Sequence, residues 1–171
     1  MCKLKQGLKM FSHLPYRNAE DLDGNPREDN WRFDITREYK KGDWYSQNKP
    51  DGLYLSNESN GNGWSNHRMV DGDTEIVYTI YIDASKLLTI SRPSDIPKKL
   101  HTMNDFGERK VSWEKIRKAG YTGILIERHD PNKCEDHEWF RTWDCDAACI
   151  WDLSIVKIIE NPEGERVYQN I

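Results

Sequence analysis

The pattern of apolar and polar positions divides the chain into short segments, most of which read as strands. The clearest strand spans residues 74–83. One face of it is apolar at every second position, with Ile76, Tyr78, Ile80 and Ile82. Val77 and Tyr81 on the other face indicate that this strand is at least partly buried on both sides.

Further apolar segments predict six more strands and two helices. The strands are Leu8–Leu14, Leu53–Ser56, Leu87–Ile90, Thr122–Glu127, Cys149–Asp152 and Ile155–Ile159. We expect Ser94 to cap a helix over residues 94–106, and Ser112 to cap a helix over residues 113–119 that Gly120 ends. Residues 57–63 are so rich in Asn, Ser and Gly that they predict a loop.

These elements define the fold class. Strands dominate, helices are few, and strands and helices do not alternate regularly as they do in a Rossmann-type sheet. At 171 residues the chain has the usual size of one domain. The sequence therefore predicts a single α+β domain over residues 1–171.

Composition and charge narrow the functional classes. The formal net charge of −4 disfavours a dedicated DNA-coating protein, although nucleic acid stays open as a transient substrate. There is no apolar run of roughly 18 residues and no apolar signal core near the N-terminus, so we expect a cytoplasmic protein with no membrane partner. In that compartment the four cysteines are expected to be reduced.

Two segments have the composition of a chemical site. The first is residues 49–56, and the second is residues 139–152, which hold three Trp and three Asp. Carboxylates between apolar walls often have perturbed pKa values. On composition alone, however, purely structural roles are favoured, with the Trp side chains in the core and the Asp side chains capping loops.

The first segment resembles a known family. Gly52-Leu53-Tyr54-Leu55-Ser56 resembles the Gly-x-Tyr-Phe-Ala segment of ADP-ribosyltransferases of the poly-ADP-ribose polymerase type, where the aromatic ring stacks on the nicotinamide of NAD. His13, within Phe11-Ser12-His13-Leu14, occupies the place of that family's first-motif histidine, which binds the NAD ribose. Gly120-Tyr121-Thr122-Gly123-Ile124 and the Trp-Asp-x-x-x-x-x-Ile-Trp ending also look like small transferase-like proteins of bacteria and phages.

The resemblance implies a fold, a reaction and a set of residues. The fold would have two packed, mainly antiparallel sheets with a few short helices. The reaction would be NAD-dependent transfer of ADP-ribose to a protein or nucleic acid, by a toxin or a factor in phage–host conflict. The NAD-binding residues would be His13, Arg17, Gly52, Tyr54 and Ser56. Asp146 or Asp144, together with His13, would be catalytic.

The sequence departs from the family pattern at two places. His13 is followed by Leu14 and Pro15, where the family has Gly and then Ser or Thr, and no Glu begins the strand predicted at Cys149. Asp146 and Asp144 are the nearest carboxylates, and Glu127 is a second choice. A carboxylate at such a site stabilises the oxocarbenium character of the ribose and activates the incoming nucleophile.

Two alternatives stay open at this level. The chain could be a non-catalytic module that binds a nucleotide, a nucleic acid or a protein on the same fold, which the missing Glu favours. It could also be a zinc-stabilised interaction domain, with the ligands Cys134, His137, Cys145 and Cys149. The second alternative is weaker because the Cys-x-x-x-Cys spacing of Cys145 and Cys149 runs into a predicted strand and lacks the tight turn of a zinc knuckle.

Overall fold

The computed structural model describes residues 8–13, 49–63 and 78–170. The strands in this part of the chain are β1 Lys9–His13, β2 Leu53–Ser56, β3 Tyr78–Ile82, β4 Leu87–Ile90, β5 His101–Met103, β6 Arg109–Val111, β7 Gly123–Ile126, β8 Ala147–Ile150, β9 Val156–Glu160 and β10 Arg166–Gln169. The α-helices are α1 Trp113–Lys118 and α2 Glu138–Arg141. None of the described helices is long and apolar enough to span a bilayer.

Eight of these strands form one sheet, in the order β10-β9-β3-β1-β2-β8-β7-β4. Every neighbouring pair is antiparallel except β4 and β7, which are parallel. The connection from β4 to β7 contains α1 and the separate two-stranded β5–β6 hairpin. The α+β class with mainly antiparallel sheets and few short helices is therefore confirmed, but the two sheets are of very unequal size.

The two faces of the large sheet bury separate hydrophobic clusters. Side chains alternate along β8, so that Cys149 packs on one face and Ala148 on the other. The Tyr54 face, named after the β2 tyrosine that packs there, is covered by α1, α2 and Trp143. The Leu55 face, named after the next residue of β2, gathers apolar side chains of β1, β3, β8 and β9.

The predicted helix over residues 94–106 is wrong. Short 3₁₀ turns occupy Pro93–Asp95 and Lys98–Leu100, and β5 follows directly. Pro97 sits inside the segment, where it removes a backbone donor and disfavours helical geometry at the residue before it. Ser94 does not cap a helix, since its hydroxyl donates to Glu135.

The other predicted elements fit with small shifts. Strands β2 and β4 have the predicted bounds, and Ser112 caps α1 by accepting from the Lys115 amide. Gly120 has φ +91°, which suits the residue that ends a helix. The strand predicted from Cys149 begins two residues earlier, and β10 has no counterpart in the prediction. Of the strand predicted at 74–83, residues 74–77 lie outside the described part.

Candidate functional site

Tyr54 lies on β2 between β1 and β8, in the middle of the large sheet. Its ring is partly buried, and its centroid is 5.5 Å from that of Trp143, with the two planes tilted by 54°. Its hydroxyl donates to the Pro50 carbonyl at 2.6 Å. The ring is therefore fixed from two sides, by an aromatic neighbour and by a backbone acceptor.

Residues 49–51 pass beside Tyr54 and are held by side chains from several elements. The Pro50 carbonyl also accepts from the Cys149 thiol at 3.6 Å. The Arg117 guanidinium of α1 donates to the Asp51 carbonyl at 2.9 Å. Contacts of this kind position the start of β2, and with it the tyrosine ring.

Gly52 allows β2 to approach β8 closely. A Cβ atom at this position would lie 2.6 Å from the Cys149 sulfur and 2.6 Å from the Ile150 carbonyl oxygen. Real Cβ atoms do not come this close to other heavy atoms. The glycine of the family-like segment is thus required here by packing within the sheet, whether or not a ligand binds.

Asp144 and Lys49 lie beside the Trp143 indole. Asp144 follows Trp143 directly, is exposed, and has a left-handed backbone with φ +64°. The Lys49 ammonium donates to the Thr142 carbonyl. Burial lowers the pKa of Lys49, and the Asp144 carboxylate partly opposes that shift. A buried aromatic ring, an exposed carboxylate and a half-buried cation are therefore neighbours around residues 142–144.

Asp146 is held very differently from Asp144. Its side chain is completely buried and accepts hydrogen bonds from the Arg128 amide at 2.9 Å, the His129 amide at 2.7 Å, and the side chains of Asn62 at 2.7 Å and Asn60 at 3.2 Å. Burial raises the pKa of Asp146, but these four donors outweigh it and hold the pKa below its usual value. Two carboxylate oxygens that accept four hydrogen bonds have no capacity left for a substrate.

Ser56 is also buried rather than exposed to a ligand. Its side chain has no accessible surface, and its hydroxyl donates to the Glu58 carboxylate at 2.6 Å. Glu58 opens the 3₁₀ turn that follows β2. The geometry thus makes Ser56 part of the support for the loop after the strand.

His13 ends β1 and lies near Tyr54 in the sheet, but at a position of the other face. It pairs with Tyr78 of β3, which packs against the Leu55 face. Tyr54 packs against the opposite cluster. The register therefore does not bring position 13 and Tyr54 onto one face. Arg17 lies outside the described residues.

Comparison with family models, with curated proteins and with solved structures finds no match.

The four residues considered as zinc ligands do not converge. Cys134 is partly buried and contacts the Arg141 guanidinium, whereas Cys145 and Cys149 are fully buried. Burial raises the pKa of the Cys145 thiol to about 12 and also raises the pKa of Cys149. Within the described ranges, no three His, Cys, Asp or Glu side chains are grouped so that they could hold a metal ion. The zinc alternative therefore has no structural support.

A cavity of about 760 Å³ lies away from Tyr54, between the β5–β6 hairpin, the start of α1 and the segment before α2. Gly52, Tyr54 and Ser56, the residues assigned to NAD whose side chains or backbone the structure describes in full, do not line it. Burial, and next the His101 ring, lower the pKa of the lining residue His137. Glu135, which also lines the cavity, accepts from the Ser94 amide and hydroxyl. The sequence gives no sign of this cavity, because its walls come from three separate segments.

The sequence interpretation missed two features of the site. Lys49 belongs to a segment that was singled out, but a lysine before a proline gives no sign that it will be half-buried. Asn60 and Asn62 were assigned only to a loop, although they hold Asp146. The Asn-rich composition of residues 57–63 was the available signal, since amide side chains are suited to hydrogen-bonding a buried carboxylate.

Proposed function

We propose that the protein transfers ADP-ribose from NAD to a macromolecular acceptor, using Tyr54 to hold the nicotinamide ring and Asp144 as the catalytic carboxylate. The observation that carries the proposal is the neighbourhood of strands β2 and β8 in the sheet. Strands β2 and β8 are paired, so the segments near positions 54 and 144–151 lie side by side, whereas position 13 on β1 belongs to the opposite face of the sheet.

The chemistry around Tyr54 fits this reaction. The C–N bond between ribose and nicotinamide breaks, nicotinamide leaves with the bonding electron pair, and the acceptor nucleophile bonds to the same ribose carbon. Positive charge develops on the sugar during this step, as in glycoside hydrolysis. A carboxylate stabilises that charge and takes the proton of the nucleophile. An aromatic ring such as Tyr54 offers a flat surface for the nicotinamide.

The environments of the two aspartates favour Asp144 over Asp146. All the hydrogen-bonding capacity of Asp146 is used inside the protein. Asp144 is exposed, follows the Trp143 that packs on Tyr54, and has Lys49 as its charged neighbour. Lys49 is a suitable cation for the NAD pyrophosphate, which carries negative charge.

The test is nicotinamide release from NAD in the presence of candidate acceptors. Asp144→Asn should lower the rate by roughly 100-fold or more because it removes the general base, and Asn tolerates the left-handed backbone at this position. Tyr54→Ala should raise KM by about tenfold because the stacking surface is lost. Tyr168→Ala, a partly buried tyrosine of β10, is the matched control and should leave both values unchanged. Unchanged turnover in Asp144→Asn would refute the assignment.

The variant His13→Ala distinguishes between the expectation from the family resemblance and the expectation from the strand register. The resemblance implies that His13 binds the ribose, so its removal should raise KM. The backbone register pairs position 13 with Tyr78, a position of the Leu55 face, which favours no effect on KM. We expect KM to be unchanged. A large increase in KM would instead show that His13 contributes to NAD binding.

The second candidate is a non-catalytic module that binds a nucleotide on the same face. The saturated hydrogen bonding of Asp146 favours it, because the carboxylate closest to the start of β8 is not free to react. Calorimetry with NAD distinguishes the two candidates. Binding without nicotinamide release supports the module, whereas no binding at all contradicts both.

A further inference from the structure

The β5–β6 hairpin displays apolar side chains to solvent. Phe106 in its turn is 90% exposed, and Met103 at the end of β5 is 58% exposed. Only two other large hydrophobic side chains in the described part of the chain are exposed, Met10 and Val167. Two of these four residues, Met103 and Phe106, thus belong to the same hairpin.

The turn that carries Phe106 is ordered by its own hydrogen bonds. The Asn104 side-chain oxygen accepts from the Phe106 amide at 3.0 Å and the Glu108 amide at 2.8 Å. Gly107 supplies the left-handed conformation, with φ +77°. The phenyl ring is therefore held outward by a preformed turn, so a ligand that stacks on it need not order the backbone first.

The sequence of the hairpin and its flanks is basic, although the cavity beside the hairpin is also lined by the carboxylates of Glu135, Asp136 and Glu138. Residues 98–118 contain seven Lys or Arg and three Asp or Glu, whereas the whole chain has a net charge of −4. Lys98, Lys99 and Arg109 are exposed, and none of them forms an ion pair with a described residue. The register sets Arg109 directly opposite Met103. Arg109 and the exposed Met103 are thus neighbours on the hairpin, and Lys98 and Lys99 lie in the 3₁₀ turn that leads into β5.

We propose that the β5–β6 hairpin binds single-stranded nucleic acid, with a base stacked on Phe106 and the phosphates held by Lys98, Lys99 and Arg109. A positive surface that follows the backbone, combined with an aromatic side chain that accepts any base, is how proteins hold single strands without sequence preference. The local positive charge matches the phosphates, although the protein as a whole is acidic. The proposal is independent of NAD and of the site at Tyr54.

An anionic membrane surface fits the hairpin less well. Asp105 and Glu108 flank the turn, and both are exposed. Inserting Phe106 into lipid would take these carboxylates towards an apolar phase, which is costly. A base stacked on the ring leaves both carboxylates in water.

Fluorescence anisotropy with the full chain tests the proposal. The probes are labelled single-stranded DNA and RNA oligonucleotides of mixed sequence, the corresponding duplex, and vesicles of anionic lipid. We expect the single strands to bind at about 50 mM salt and to dissociate as salt rises. Phe106→Ala should weaken binding about tenfold or more. The triple variant K98A, K99A and R109A should weaken it further and lower the salt slope by about 2.

Matched control variants distinguish an effect of the hairpin residues from an effect of the protein's net charge. The triple variant K86A, K133A and R166A removes two lysines and one arginine that are exposed elsewhere, and Val167→Ala removes an exposed apolar side chain of β10. Both controls should bind as the unaltered protein does. The proposal is overturned by absence of binding to single strands, by equal effects of control and hairpin variants, or by binding to vesicles alone. Circular dichroism checks that each variant is folded.

Discussion

At the scale of single residues, the hydrogen bonds of the buried Asp146 carboxylate should contribute strongly to the stability of the fold. Its buried carboxylate joins the loop after β2 to the residues after β7, which are far apart in the sequence. In Asp146→Asn an amide group would face N–H donors, so at least one buried donor would lose its acceptor. We expect the free energy of unfolding to fall by about 3 kcal/mol or more, measured by urea denaturation. Asp144→Asn is the control and should change it little because Asp144 is exposed.

The same variant should change how stability depends on pH. The folded state holds the pKa of Asp146 below its usual value, because the four hydrogen bonds outweigh burial. The charged carboxylate therefore stabilises the native state fully above about pH 4, and this contribution is lost as pH falls through the lowered pKa. The stability difference between the unaltered protein and Asp146→Asn should thus shrink in acid. A difference that stays constant down to pH 2 would contradict the hydrogen-bonding pattern.

At the scale of elements, the contact between β2 and β8 depends on Gly52. In Gly52→Ala the added methyl group would meet the Ile150 backbone, which cannot move without disturbing the pairing of the two strands. We expect a loss of stability of about 2–3 kcal/mol in thermal or urea unfolding. Gly107→Ala is the matched control. It adds a methyl group in open space and should cost only the strain of its positive φ, about 1 kcal/mol.

The strands could be predicted where alternation and turn residues agree. The predicted bounds of β2 and β4 agree with the structure because each carries a continuous apolar pattern, and β2 also follows the turn residues Pro50, Asp51 and Gly52. The helix predicted over residues 94–106 is wrong because the apolar residues Ile96 and Leu100 have helical spacing but lie on either side of Pro97. β10 was missed because its side chains are largely exposed and it is an edge strand, so burial leaves no pattern in the sequence.

The candidate site was predictable only in part. The composition of the segments 49–56 and 139–152 indicates a chemical site, and the two segments do meet around Tyr54 and Trp143. The difference between Asp144 and Asp146 could not be predicted, since it depends on donors supplied by residues 60, 62, 128 and 129. The face on which position 13 lies depends on strand register, which pairwise spacing in the sequence does not determine.

At the scale of the whole molecule, the buried thiols report on global unfolding. Burial raises the pKa of Cys145 to about 12, so almost no thiolate exists at neutral pH. Cys149 is equally buried and lies on β8, an interior strand of the sheet between β2 and β7. We expect iodoacetamide to leave both cysteines unmodified until denaturant unfolds the protein, and then to modify them together. Mass spectrometry of the peptides measures this.

Cys134 provides the internal comparison for that experiment. It lies partly exposed before α2, so it should react in the native state. If Cys145 reacted well below the unfolding midpoint, the segment before β8 would open locally, and the Asp146 contacts would open with it.

The contacts of Asp146 also constrain the order in which the chain can become structured during synthesis. Residues 57–63 leave the ribosome long before residue 146 has been added. Until then Asn60 and Asn62 have no carboxylate to bind, and β2 lacks its partner β8. The nascent N-terminal part therefore cannot complete its sheet from within itself. Truncated chains that stop short of β8 should be far more sensitive to protease than the full-length protein.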